Sequence, residues 1–179
     1  MTSSLSPLEI YERLGMVIKG YQEALDRYSD EQFTYKSARD VWSLGQLYEH
    51  LVLTSNFFFL ANTLRCLEQR KGQIGGEKNQ YGDNIFRNNS FPPVKIKIPE
   101  ALRGPEPVAK MRSDYGPLLE KVLLDAQKLI EAVGQDAGEY KCIHPIFGWL
   151  NAREWYHNME MHFKHHLRQQ AELEEILKG

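Results

Sequence analysis

Four stretches of the chain carry an apolar residue at every third or fourth position, and three of them open on a signature that fixes where a helix starts. Ser6-Pro7-Leu8-Glu9 offers an N-cap hydroxyl, a proline at the first helical position and a glutamate that can reach back to the cap. Ser43-Leu44-Gly45-Gln46 repeats that logic, and Asn151-Ala152-Arg153-Glu154 repeats it with an amide as the cap. Behind the starts run stripes with a period of about 3.6 residues. The first is Ile10, Leu14, Val17, Tyr21, Leu25 and Tyr28, and the second is Leu47, Leu51, Thr54, Phe58 and Ala61. The third, from a start near Pro107, is Val108, Met111, Tyr115, Leu118, Val122, Leu129 and Val133. The fourth is Trp155, Met159, His162, His166, Leu173 and Leu177. Four amphipathic helices can bury their apolar faces only against one another, which predicts an all-α four-helix bundle in one domain over residues 1–179.

The connections are uneven. Residues 30–42 are expected to form a modest link between helices one and two, and residues 134–150, rich in glycine and aromatics, to join helices three and four. From Lys71 to Gly104 the chain carries Gly72, Gly75, Gly76, Gly82, Pro92, Pro93 and Pro99, a pattern that predicts no helix. Its roughly 34 residues reach up to ~110 Å at ~3.3 Å per residue. A bundle helix of about 27 residues is only ~40 Å long. This crossover can therefore traverse the bundle and let helices two and three run parallel, an up-down-down-up order. Val94 to Ile98 alternates apolar and basic residues, so a short extended stretch is expected there.

Composition narrows the function. With 42% hydrophobic residues, including 8 Phe, 9 Tyr and 3 Trp, the chain can build a core and is not disordered. Its 22 Lys and Arg against 24 Asp and Glu leave −2, which argues against nucleic acid as a partner held by a basic surface. Two cysteines, Cys66 and Cys142, make no disulfide scaffold, and no Cys-x-x-Cys suggests a thiolate zinc site. The most apolar window, Leu51 to Leu64, is too short to span a bilayer, and the first residues lack a basic and apolar leader. The expectation is a cytoplasmic protein without a membrane partner.

The six histidines carry the chemistry. Projected at 100° per residue, His162 and His166 lie about 40° apart on the buried stripe of the fourth helix, and His50 faces inward on the second. His165 projects to the edge of the stripe and His157 to the far side, away from the bundle interior. An inward imidazole without a partner for its nitrogens costs about 1–3 kcal/mol. A divalent metal resolves that cost. Two histidines at i and i+4 can grip one ion, and a third from a facing helix makes a site with open positions, the pattern of a catalytic metal. The alternative is a set of hydrogen-bonded core histidines. Gln169, one turn beyond His166, is expected either to orient a ligand from behind or to be a polar core residue. His144 is expected to pack within its loop, His165 to face substrate or solvent, Cys142 to be an inert thiol, and Phe57, Phe58 and Phe59 to be core.

Trp42-Ser43-Leu44-Gly45-Gln46-Leu47 leading to His50-Leu51 resembles the second-helix signature of the DinB/YfiT-like superfamily of metalloenzymes. His162-Phe163-Lys164-His165-His166-Leu167-Arg168-Gln169 is similar to its His-x-x-His-His-x-x-Gln ending. His144-Pro145-Ile146-Phe147-Gly148 is similar to the His-Pro-x-Phe-Gly loop of one branch. The resemblance implies a bundle of up-down-down-up order, a nickel or zinc ion on His50, His162 and His166, and a homodimer. Members include thiol-dependent S-transferases and isomerases. That implies an enzyme passing a low-molecular-weight thiol to a small-molecule electrophile through a metal-bound thiolate. Two alternatives stay open: a hydrolase using metal-bound hydroxide, and a non-catalytic module that binds a metal or ligand. The hydrolase needs a carboxylate base, and Glu49 projects about 100° away from His50.

Overall fold

The computed structural model describes residues 5–92 and 104–178. The expected extended stretch from Val94 to Ile98 lies outside the described residues. The three sequence caps are the three helix starts. Helix α1 (Pro7–Leu25) is capped by Ser6, α3 (Leu44–Thr54) by Ser43 and α8 (Ala152–Ile176) by Asn151, each with its reciprocal capping box. Between the first two, α2 (Asp30–Thr34) is a five-residue helix in what reads as a link. Its cap, Ser29 with Gln32, follows the same rule. Helix α3 passes through a π-turn (Ser55–Leu60) into α4 (Ala61–Leu67) without leaving right-handed helical backbone.

The region expected to be free of helix contains α5 (Gln80–Asn88), capped by Asn79, whose side chain accepts the Gly82 N–H. Gly82 does not break this helix. It lets α5 approach the turn that carries Phe147, since a Cβ there would stand 2.5 Å from the Phe147 carbonyl oxygen. The third long helix does not begin near Pro107. After a 3-10 turn (Arg112–Asp114), α6 (Tyr115–Gln127) and α7 (Ile130–Gln135) follow with a break at Lys128 and Leu129. Val108 and Met111, placed on the apolar stripe by periodicity, are exposed. The reason is a tether. Gln46 Nε2 donates to the Pro107 carbonyl at 3.0 Å, and the Lys110 N–H donates to the Tyr115 hydroxyl at 2.9 Å, which hold the strap outside the helix.

The all-α expectation is also corrected. The chain is mostly helical but carries a three-stranded antiparallel sheet in the order β1 (Gln73–Ile74), β2 (Tyr140–His144), β3 (Gly148–Asn151). Gln73 pairs with Lys141, and His144 pairs with Gly148 across a tight hairpin. Gly148 has φ +87°, a left-handed conformation that favours glycine. Strand β3 runs straight into α8, so the hairpin fixes where the last helix starts. Helix α8 packs on α1, α3, the π-turn and α4, and α1 packs on α6. The core between them holds Tyr21, Phe33, Tyr48, Tyr115, Trp155 and Phe163, all fully buried. The Tyr21 hydroxyl donates to the Phe163 carbonyl at 3.0 Å and the Tyr48 hydroxyl to the Tyr21 carbonyl at 2.8 Å, so these rings bury no unpaired hydroxyl. Among the described residues, no helix is long and apolar enough to cross a membrane.

Candidate metal centre

Helices α3 and α8 bring His50, His162 and His166 together. His50 Nε2 stands 3.1 Å from His162 Nε2, which stands 3.2 Å from His166 Nε2. One ring nitrogen of each residue falls within 4.8 Å of the other two. The cap at Ser43 sets the phase that turns His50 inward, and the cap at Asn151 does the same for the pair on α8. Trp42 covers His50 with ring centroids 5.3 Å apart, and Phe59 covers His162 at 5.0 Å.

Burial keeps these rings neutral. It pushes His50 down to about 4, and with the charge of His50 it pushes His166 down to about 3. His162 is lowered well below the ordinary range by burial first and then by His166 and His50. Gln169 Oε1 lies 2.8 Å from His166 Nδ1. An amide oxygen only accepts, so Nδ1 carries the proton and Nε2 presents a bare lone pair to the cluster. His162 Nδ1 is buried without a partner. Three neutral imidazoles with facing Nε2 atoms are a poor hydrogen-bonded set and a good donor set. Nitrogens bound to one tetrahedral zinc at ~2.0–2.1 Å lie about 3.3 Å apart, close to the spacing found here. The residues present fit a divalent ion.

Beside the cluster opens a cleft of about 710 Å³, within the range of small-molecule sites. Trp42, Phe91, Lys164, His165, His166 and Gln169 are among its lining residues. His165 therefore faces the cleft, where its ring meets Phe91 at 5.4 Å. His144 packs within its loop: its ring stacks on Phe147 at 4.1 Å, and Nδ1 accepts the Ile146 and Phe147 N–H groups at 3.1 and 3.2 Å. Cys142 and Cys66 are buried free thiols, and burial pushes the Cys66 thiol up. Glu49 is occupied elsewhere, accepting from the Tyr115 hydroxyl at 3.0 Å and from the Lys110 ammonium.

His157 is buried, with its ring 6.2 Å from Phe86 on α5. Phe57, expected inward, is 73% exposed, while Phe59 takes the buried position. The π-turn adds a residue and rephases the helix between them. Asn158, one turn before His162 and fully buried, was missed. Its signal is the polar residue at i−4 on the histidine stripe.

One protein-family model, described as the DinB superfamily, matches residues 14–170. No curated protein matches the sequence.

Proposed function

Since the chain belongs to the DinB superfamily, we propose that it is a metal-dependent enzyme in which His50, His162 and His166 hold one nickel or zinc ion. The observation that carries this is the convergence of three Nε2 atoms at 3.1 and 3.2 Å between rings kept neutral by burial. Three protein ligands leave a position for an exogenous group. A divalent ion there supplies Lewis acidity, which lets a bound thiol ionise at neutral pH. The reaction we assign is transfer of a low-molecular-weight thiol to a small electrophile within the cleft. Gln169 accepts from the Nδ1–H of His166, and Trp42 and Phe59 pack against the His50 and His162 rings. Thiol transfer ranks above hydrolysis because Glu49, the carboxylate weighed as a base, is engaged by Tyr115 and Lys110. The up-down-down-up helix order of the superfamily belongs to the same reading.

Titration of chelator-treated protein tests it. About one nickel or zinc ion per chain is expected, with a higher thermal midpoint, since a ligand of the native state stabilises it. Single replacement of His50, His162 or His166 by Ala should abolish tight binding. His157→Ala should cost stability and leave the stoichiometry unchanged. The loaded protein should then conjugate a low-molecular-weight thiol to members of a small electrophile panel. Binding without metal-dependent turnover on any thiol would overturn the transferase, and equal tight binding by all four variants would overturn the site.

A further inference from the structure

Among the described residues, six side-chain atoms are buried without a hydrogen-bond partner, and three of them lie on consecutive turns of one face of α8. They are both amide atoms of Asn158 and Nδ1 of His162. Asn158 is fully buried, so neither amide atom reaches bulk water. Residues four apart on a helix are neighbours, with Cβ atoms about 5–6 Å apart. Side chains on a helix lean toward its N-terminus, so the His162 ring leans over the turn that carries Asn158. A buried amide and a buried ring nitrogen that are both unpaired are costly separately and complementary together.

His166, the other α8 histidine of the cluster, shows the arrangement already built. Its Nδ1 faces an amide oxygen, Gln169 Oε1, at 2.8 Å, which fixes the tautomer. We propose that Asn158 is the positioning residue of His162, its amide oxygen accepting from the Nδ1–H across one bridging water so that Nε2 stays bare toward His50 and His166. Each of the two α8 rings is then held from behind by an amide, Asn158 one turn before His162 and Gln169 three residues after His166. Without Asn158 the proton of His162 has a better place. On Nε2 it can be donated to His50 at 3.1 Å or to His166 at 3.2 Å, and that hydrogen bond closes the cluster to an ion. The role rests on the proposed metal reading, but the tautomer it sets belongs to the metal-free protein and can be read there.

The experiment uses the full chain in two arms. In metal-free protein at pH 8, imidazole nitrogen chemical shifts report which nitrogen of His162 carries the proton. In the second arm, chelator competition gives the zinc affinity. Wild type should show His162 protonated on Nδ1. Asn158→Ala should move the proton to Nε2 and weaken zinc binding about 10- to 100-fold, the usual cost of losing a group that orients a ligand. Asn158→Asp keeps an acceptor and should retain the Nδ1 proton, with affinity within about threefold of wild type. An unchanged tautomer or an unchanged affinity in Asn158→Ala overturns the proposal. If wild type binds no zinc, the metal reading fails and the tautomer arm alone decides the role of Asn158. If Asn158→Ala does not fold, Asn158→Asp decides: with oxygens alone facing the ring, a His162 proton on Nε2 overturns the proposal.

Discussion

At His144, burial and hydrogen bonding act on one ring. Its Nδ1 is committed to two backbone N–H groups, and burial pushes its pKa down to about 3. The unfolded chain takes up this proton first, near the ordinary value of about 6.5. Stability is therefore complete above about 6.5 and is lost as pH falls from there toward 3, by about 1.4 kcal/mol per pH unit for a single ring. In metal-free protein His50 and His166 add loss of the same sign, down to about 4 and about 3. His144→Asn keeps an acceptor at this position and removes one titrating ring. In urea unfolding with chelator present, this variant should be less stable than wild type at pH 7. Its stability should decline less steeply between pH 6.5 and 4, by about 1.4 kcal/mol per pH unit. Equal slopes would show that His144 takes up its proton in the fold as readily as in the unfolded chain.

At the scale of elements, the π-turn is where helical periodicity stops being a guide. Through Thr54 a projection of 100° per residue holds, and His50 and Leu51 face as expected. One residue later the turn widens, so Phe57 swings out and Phe59 swings in against His162. Such a turn amounts to one residue inserted into an α-helix. Deleting the exposed Phe57 should restore regular α-helix while leaving α3 and α4 in their present phases. Circular dichroism should show wild-type helicity, and the loss of stability should stay within about 2 kcal/mol, within the ordinary range for one substitution. Deleting Gly15 inside α1 is the contrast, since it turns the remainder of that helix by about 100°. Unfolding of the Phe57 deletion would show that the wide turn itself holds the site. The other elements divide on the same physical ground. Caps are local chemistry, so Ser6, Ser43 and Asn151 gave true starts, and the inward phase of His50, His162 and His166 followed from them. The strap before α6, the packing of α5 and strand β1 meet distant partners: Gln46 with Pro107, Gly82 with Phe147, and Gln73 with Lys141. No local window contains both members of those pairs, which is why the strap, the crossover and strand β1 are not legible from periodicity, whereas the β2–β3 hairpin is a local pairing within residues 140–151.

For the whole molecule, half of the aromatic residues are buried and most of the others are half-buried. Among the described residues, the large exposed aromatics are Phe57 and Tyr35. Phe57 does not stand alone. Leu53 and Leu64, on either side of the π-turn in the same α3–α4 helix, are each 37% exposed. Exposed apolar side chains gathered on one helix are a place where a contact between copies can form. The occupant we assign is a second copy of the chain, in line with the homodimer that the superfamily resemblance implies. A surface on a single helix can meet itself across a two-fold axis, with Phe57 near its centre. Sedimentation at micromolar concentration should then give twice the chain mass. Phe57→Lys places two like charges at the centre of that contact and should yield a monomer of unchanged helicity that still binds about one zinc ion per chain, because the side chain points away from the histidines. A wild-type protein that sediments as a monomer would remove the dimer from the reading. A lysine variant that remains dimeric would move the contact to another face.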